Sequence, residues 1–169
     1  MPLDLTFFPQ WKFVHVDYFG RATVGDIVRG YSDMLAHPEA GHLSFSLNDM
    51  RGLEGLNVFY DGMMHMAKTV SSDAAQRSEP LAMAVVANQR NMMPILTDYC
   101  AQVSRAGTAR CGLLSDIADA VDWLGLSRDV LDLRLSGGRR IADPLSQSST
   151  LTASREPPDP AGDDHRQRS

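Results

Sequence analysis

The polar and apolar positions change period several times along the chain, and each change marks an element. Residues 3–8 alternate as far as Phe7 and Phe8, where Pro9 and Gln10 interrupt. Residues 11–19 alternate again, with Val14, Val16 and Tyr18 on one face and His15 and Asp17 on the other. Two-residue periodicity carried by aromatic and β-branched side chains is the pattern of a half-buried strand. The short break between the runs favours an antiparallel hairpin, which Gly20 ends. From Thr23 the period becomes helical. Val24, Ile27, Val28, Tyr31, Met34 and Leu35 form one stripe, stopped by Pro38. Thr23 and Asp26 have capping-box spacing, with Asp in place of the usual Glu.

Residues 42–48 return to alternation, with Leu43, Phe45 and Leu47 opposite Ser44, Ser46 and Asn48. The stretch 49–55, which holds Asp49, Arg51, Gly52, Glu54 and Gly55, reads as a loop. Leu56, Phe59, Tyr60, Met63, Ala67 and Val70 then recur at helical spacing, and the polar stretch 71–80 closes that helix. Residues 81–87 are short and almost wholly apolar, as expected of a strand covered on both faces. A helix over 91–106 has Pro94 in its first turn and Gly107 after its end. A strand over 108–114, a helix capped by Ser115 and ended by Gly125, and a short helix over 126–135 complete the order.

The pattern predicts an α/β domain over residues 1–135 in the order β-β-α-β-α-β-α-β-α. Its sheet is mixed, with an N-terminal hairpin and parallel strands joined by right-handed crossovers. Helices are expected mainly on one face, leaving the other thinly covered and open to docking. Residues 136–169 lack aromatic side chains and are dominated by Ser, Pro, Asp and Arg. A disordered polar tail is expected there.

Composition narrows the function classes. A net charge of −5 with no basic stripe argues against nucleic acid as a partner. No apolar run approaches the roughly 20 residues that span a bilayer, so no membrane insertion is expected. Asp4 and Pro9 interrupt the apolar N-terminus, so no secretory signal is read and the cytoplasm is the expected location. The two cysteines, Cys100 and Cys111, lack metal-binding spacing and sit in apolar segments. They read as small buried hydrophobes.

Several stretches resemble a known family. These are Phe19-Gly20-Arg21-Ala22-Thr23-Val24-Gly25-Asp26, the helix ending Leu35-Ala36-His37-Pro38, the strand ending Asn48-Asp49-Met50-Arg51, and the closing helix from Leu114-Ser115-Asp116 to Asp122-Trp123-Leu124. Over residues 4–126 the chain resembles bacterial SpoIIAA-like proteins of the STAS/SEC14 type. The resemblance implies a small sheet with helices mainly on one side, used for protein–protein regulation or for holding an apolar ligand. In the anti-sigma-factor antagonists of that fold, a phosphorylatable Ser follows an Asp at the start of the helix after the third strand. The corresponding stretch here, residues 49–56, contains no Ser or Thr.

No catalytic, cofactor or metal set assembles from the remaining residues. His15 and Asp17 share a strand face and could act as a base and its orienter, but a solvated strand face is the stronger reading and no nucleophile joins them. His65 has Asp61 four residues before it and Thr69 four after, which suits a surface ion pair and lacks further metal ligands. In the 49–55 loop, Asp49 and Glu54 would repel a phosphate, which leaves a plain turn or a protein contact. Met63 lies on a core stripe, whereas Met64 and Met66 fall partly off it. Core filling is the favoured reading, and an adaptable partner surface becomes the better one where Met64 and Met66 are exposed. The expected function is a non-catalytic regulatory or interaction module, acting on a protein partner or a second copy of itself. Its candidate surface is Asp49, Arg51, Glu54, Met64 and Met66. A carrier for a small apolar ligand is the alternative, and it requires an enclosed cavity.

Overall fold

A computed structural model of the chain describes residues 3–57, 59–133 and 141. Five strands, β1 (Leu3–Phe8), β2 (Phe13–Thr23), β3 (Phe45–Asn57), β4 (Leu81–Val86) and β5 (Ala109–Leu114), lie side by side in sequence order. β1 and β2 form the antiparallel hairpin, and every later neighbour is parallel. Four helices, α1 (Val24–Ala36), α2 (Tyr60–Ala75), α3 (Met93–Ser104) and α4 (Ile117–Leu124), follow β2, β3, β4 and β5 in turn. The mixed α/β sheet and its order match the sequence reading.

Two cores lie on opposite faces of the sheet. On one, Ile27 and Met34 of α1, Met63, Ala67 and Val70 of α2, and Leu96 and Val103 of α3 cover Val14, Val16, Met50, Met83 and Val85. On the other, Ile117, Val121 and Leu124 of α4 with Val130 cover Phe13, Leu47, Ala84 and Val86. Three helices therefore pack on one face and α4 on the other.

Local chemistry sets the helix ends. Thr23 Oγ1 accepts from the Asp26 amide at 3.2 Å, and the Asp26 carboxylate accepts from the Thr23 amide at 2.9 Å. This is the anticipated capping box with Asp at its third position. The Thr23 hydroxyl, which donates to the Asp26 carboxylate at 2.7 Å, and then the Thr23 amide hold that carboxyl below its ordinary range. Asp116, not Ser115, caps α4, through the Ala118 amide at 2.6 Å, and Gly125 ends it in the left-handed conformation at φ 76°. Trp123 on α4 lies against β5 at Gly112, where a Cβ would stand 2.8 Å from its ring. The Arg110 guanidinium sits 4.4 Å over the same ring in a cation–π contact, and its Nη2 donates to the Trp123 carbonyl at 3.3 Å.

Four expectations need correction. The stretch 49–55 is strand, not loop, because residues 19–23 of β2 supply it with a parallel partner that periodicity alone could not reveal. α2 begins at Tyr60 and continues through 71–75, whose Ser71 and Ala74 are buried against the core. The helix expected over 126–135 is a 3-10 turn at Arg128–Asp132. His15 and Asp17 do not lie on a solvated face. Both are buried, because β2 is internal to the sheet and its second face, shared with Phe13 and Leu47, is covered. That face is thus no open docking surface.

The expected tail, 136–169, lies outside the described residues apart from Ile141. Ile141 is 1% exposed within the second core, and its amide donates to the Leu133 carbonyl at 3.3 Å. Truncating a fully buried isoleucine removes its transfer energy and leaves a cavity. The substitution Ile141→Ala is expected to lower the unfolding free energy by about 2–4 kcal/mol, read from urea denaturation of the full chain. A change near zero would place Ile141 outside the core.

Candidate functional site

β2 and β3 outrun their neighbours. β1 pairs with β2 only as far as Tyr18, and β4 with β3 only as far as Asp49. Residues 19–23 and 52–57 continue alone as a two-stranded parallel ribbon that leads into α1 and α2. The register slips twice: Asp17 and Phe19 face Asp49 and Gly52, and Gly20 and Arg21 face Leu53 and Gly55. At each slip β3 carries one extra residue, which bends the strand and re-aims its side chains.

The first bulge is held from three sides. Gly52 lies so close to β2 that a Cβ there would stand 2.7 Å from the Tyr18 carbonyl oxygen. Gln89, in the connection between β4 and α3, brings its Nε2 to 3.3, 3.2 and 2.9 Å from the carbonyls of Met50, Arg51 and Leu53. One side-chain amide thus serves carbonyls that the bulge removes from regular pairing. Asp49 and Arg51 supply the third tie. Arg51 Nε and Nη2 each lie 2.9 Å from an Asp49 carboxylate oxygen, and the Arg51 amide donates to the same carboxylate at 3.1 Å. The carboxylate is 1% exposed and the Arg51 side chain 12%.

Charge explains why the fork is needed. Asp49 stands directly opposite Asp17, which stands opposite Asp4, so three aspartates lie abreast on adjacent strands. Like charges side by side on a sheet destabilise it. Arg51 places a bidentate cation on the innermost of them, the strongest geometry available to a carboxylate.

On the three-helix face a cavity of about 30 Å³ lies between the sheet and α1, α2 and α3. Met34, Met50, Met63, Met66 and Met83 line it, together with Tyr18, Tyr31 and Tyr99. Its polar floor is Ser46 and Asn48, with Asn48 Nδ2 donating to Ser46 Oγ at 3.0 Å. Burial pushes the Tyr18 hydroxyl well above its ordinary pKa. Tyr31 donates to Asp73 at 3.1 Å, and burial followed by the Asp73 charge raises its pKa too. The space is about one water's share of liquid volume, far below the roughly 300 Å³ at which small-molecule sites begin.

Beyond the ribbon, the chain enters α2 with two aromatic rings outside. Phe59 is 82% exposed and Tyr60 53%. Tyr60 is tethered by its hydroxyl, which donates to Asp98 on α3 at 3.0 Å. An open groove of about 480 Å³ runs along the ribbon itself between Arg21, Ala22, Thr23, Gly55, Leu56 and Asn57.

Among solved structures, the chain is similar to an uncharacterised protein of the DUF3478 family from Shewanella loihica PV-4, described as having a SpoIIAA-like fold. The two are 16% identical, with a TM-score of 0.42 over 72% of this chain and 91% of the other. No protein-family model matches the chain, and no curated protein matches it.

The anticipated surface residues do not gather on one surface. Glu54 is exposed on the ribbon and Met64 is half-buried on α2. Met66 is buried in the cavity wall, and Asp49 is buried within its pair with Arg51. Both leave the candidate surface: Met66 faces the sheet from α2, and Asp49 lies on the covered face of β3. Phe59 and Tyr60, anticipated as core, are its exposed aromatic members. Phe59 is the N-cap of α2, with extended backbone at φ −84° and ψ 140°, so it is not carried inward by the helical turn that places Met63 and Val70 in the core. His65 is exposed on α2. Among the described residues no three His, Cys, Asp or Glu side chains are grouped to hold a metal, and no helix is long and apolar enough to cross a bilayer.

Gln89 was invisible as a site residue, because its partners are backbone carbonyls 36 to 39 positions away. Replacing Arg51 by Ala leaves the Asp49 carboxylate buried without its cation, which is costly even for a partly covered pair. R51A is expected to lose roughly 2–4 kcal/mol of stability, measured by chemical denaturation near neutral pH. A loss under half of that range would show that solvent replaces the guanidinium.

Proposed function

We propose that the chain is a non-catalytic interaction module of SpoIIAA-like type, working in the cytoplasm, whose protein partner docks on the ribbon end and the start of α2. The exposure of Phe59 carries this reading. A phenyl ring in water just beyond a bulged, cross-tied ribbon presents apolar area on a fixed support. Tyr60 adds a second ring, and its tether to Asp98 reduces the ordering cost of binding.

Two further observations favour a module over the alternatives. The Met-lined cavity is an order of magnitude smaller than a carrier for an apolar molecule needs. The most buried of the ion pairs among the described residues, Asp49 and Arg51, is spent on itself, whereas an acid–base site needs a group turned toward a substrate. Residues 49–56 hold no hydroxyl to phosphorylate, so control by phosphate on that stretch is not part of the proposal.

A second copy of the chain is the first partner to test. Native mass spectrometry at micromolar concentration is expected to show a dimer for the full chain and a monomer for Phe59→Asp, with unchanged melting temperature. A small-molecule mass that co-purifies with the monomer would replace the module by a carrier. Monomers in both proteins would assign the surface to a different protein.

A further inference from the structure

Cys100 on α3 and Cys111 on β5 stand eleven positions apart in sequence, yet their sulfurs lie 3.1 Å apart. Both are free thiols. Their approach is enforced by the backbone around them. Ser104, one turn after Cys100 on α3, accepts at its Oγ from the Cys111 amide at 2.9 Å and lies 3.4 Å from the Cys111 carbonyl. That reciprocal clamp pins β5, the last strand of the sheet, to the end of α3. The sulfurs need move only about 1 Å to reach the covalent distance of roughly 2.05 Å, in a place where helix and strand are already fixed.

We propose that Cys100 and Cys111 are an oxidation site that closes to an intramolecular disulfide, stapling the edge strand β5 to α3. The oxidant class is a low-molecular-weight disulfide. Cys111 is the half-buried member and Cys100 the buried one, so exchange begins at Cys111. Its thiolate attacks one sulfur of the reagent, forming a mixed disulfide and releasing one thiolate of the reagent. Cys100 then loses its proton to solvent and attacks the Cys111 sulfur, releasing the second. Two protein thiols and one reagent disulfide become one protein disulfide and two reagent thiols.

The site is tuned for slow exchange. The hydrogen bond to Cys100, then burial, raise the Cys111 thiol well above its ordinary pKa. Exchange proceeds through the thiolate, so the first step is slow at neutral pH. The second is fast, because the resolving sulfur is already in contact. A mixed disulfide on Cys111 is therefore short-lived. In a reducing compartment a pair of this kind stays open and closes when the thiol–disulfide balance shifts. This inference is independent of the partner surface, since Phe59 and Tyr60 take no part in it.

The test is incubation of the full, reduced chain with oxidised glutathione, followed by intact mass and peptide mapping without reductant. The expected product is a monomer lighter by two hydrogens, with the Cys100 and Cys111 peptides linked and no glutathione retained. Closing this short loop should raise the melting temperature by roughly 5–10 °C, reversed by dithiothreitol. Cys100→Ser should instead keep one glutathione on Cys111, and Cys111→Ser should take up none. A stable glutathione adduct on the unsubstituted chain, a disulfide between chains, or two thiols left free after prolonged exposure would each overturn the proposal. The mapping of the unsubstituted chain decides the matter even where a serine variant folds poorly.

Discussion

The parallel ladder between β2 and β3 is the constraint on which the rest depends. It is the longest pairing in the sheet, running from Phe13 against Phe45 to Thr23 against Asn57. Parallel neighbours cannot be joined by a tight turn, so α1 must cross over the sheet between them. α2 follows β3 in the same way and α3 follows β4, and the three helices reach the same face. The ladder also decides what is buried. Because β2 has β1 on one side and β3 on the other, His15 and Asp17 sit inside the sheet. The adjacent Asp49 then needs the Arg51 fork as an internal counter-charge.

The ladder's irregularity is as consequential as its length. Two extra residues on β3 bend the ribbon away from β4 and require the Gln89 tie, the Gly52 close approach and the Asp49–Arg51 pair in one place. Those contacts cross-tie the ribbon at its first bulge. Of the two aromatic rings beyond it, Tyr60 is tethered to Asp98, and the apolar side chains of the cavity beneath α1, α2 and α3 are left to pack as core.

Periodicity was a good guide wherever one side of an element faces water. The hairpin, the α1 stripe with its capping box, and the wholly apolar β4 were all legible because burial and solvent alternate at the period of the backbone. It misled at 49–55, where charges and glycines imitate a loop. Strand pairing there is decided by residues 19–23, about thirty positions earlier, and nothing local records it. Phe59 failed for the opposite reason. It is apolar and falls near the α2 period, so a one-dimensional pattern assigns it inward, while the chain's entry into the helix turns it out. The proximity of the two cysteines was likewise beyond reach, since it depends on how α3 returns against β5.

The contact of Trp123 with Gly112 makes two distant positions share one volume. The indole occupies the space a side chain at 112 would fill, and the Arg110 guanidinium stacks on the same ring. In descendants of this sequence neither position can drift alone. Enlargement at 112 is tolerable only with a smaller residue at 123, and the lost ring would take the cation–π contact from Arg110 while leaving its bond to the carbonyl of residue 123. Correlated substitution of these three positions is the evolutionary signature that this packing would leave.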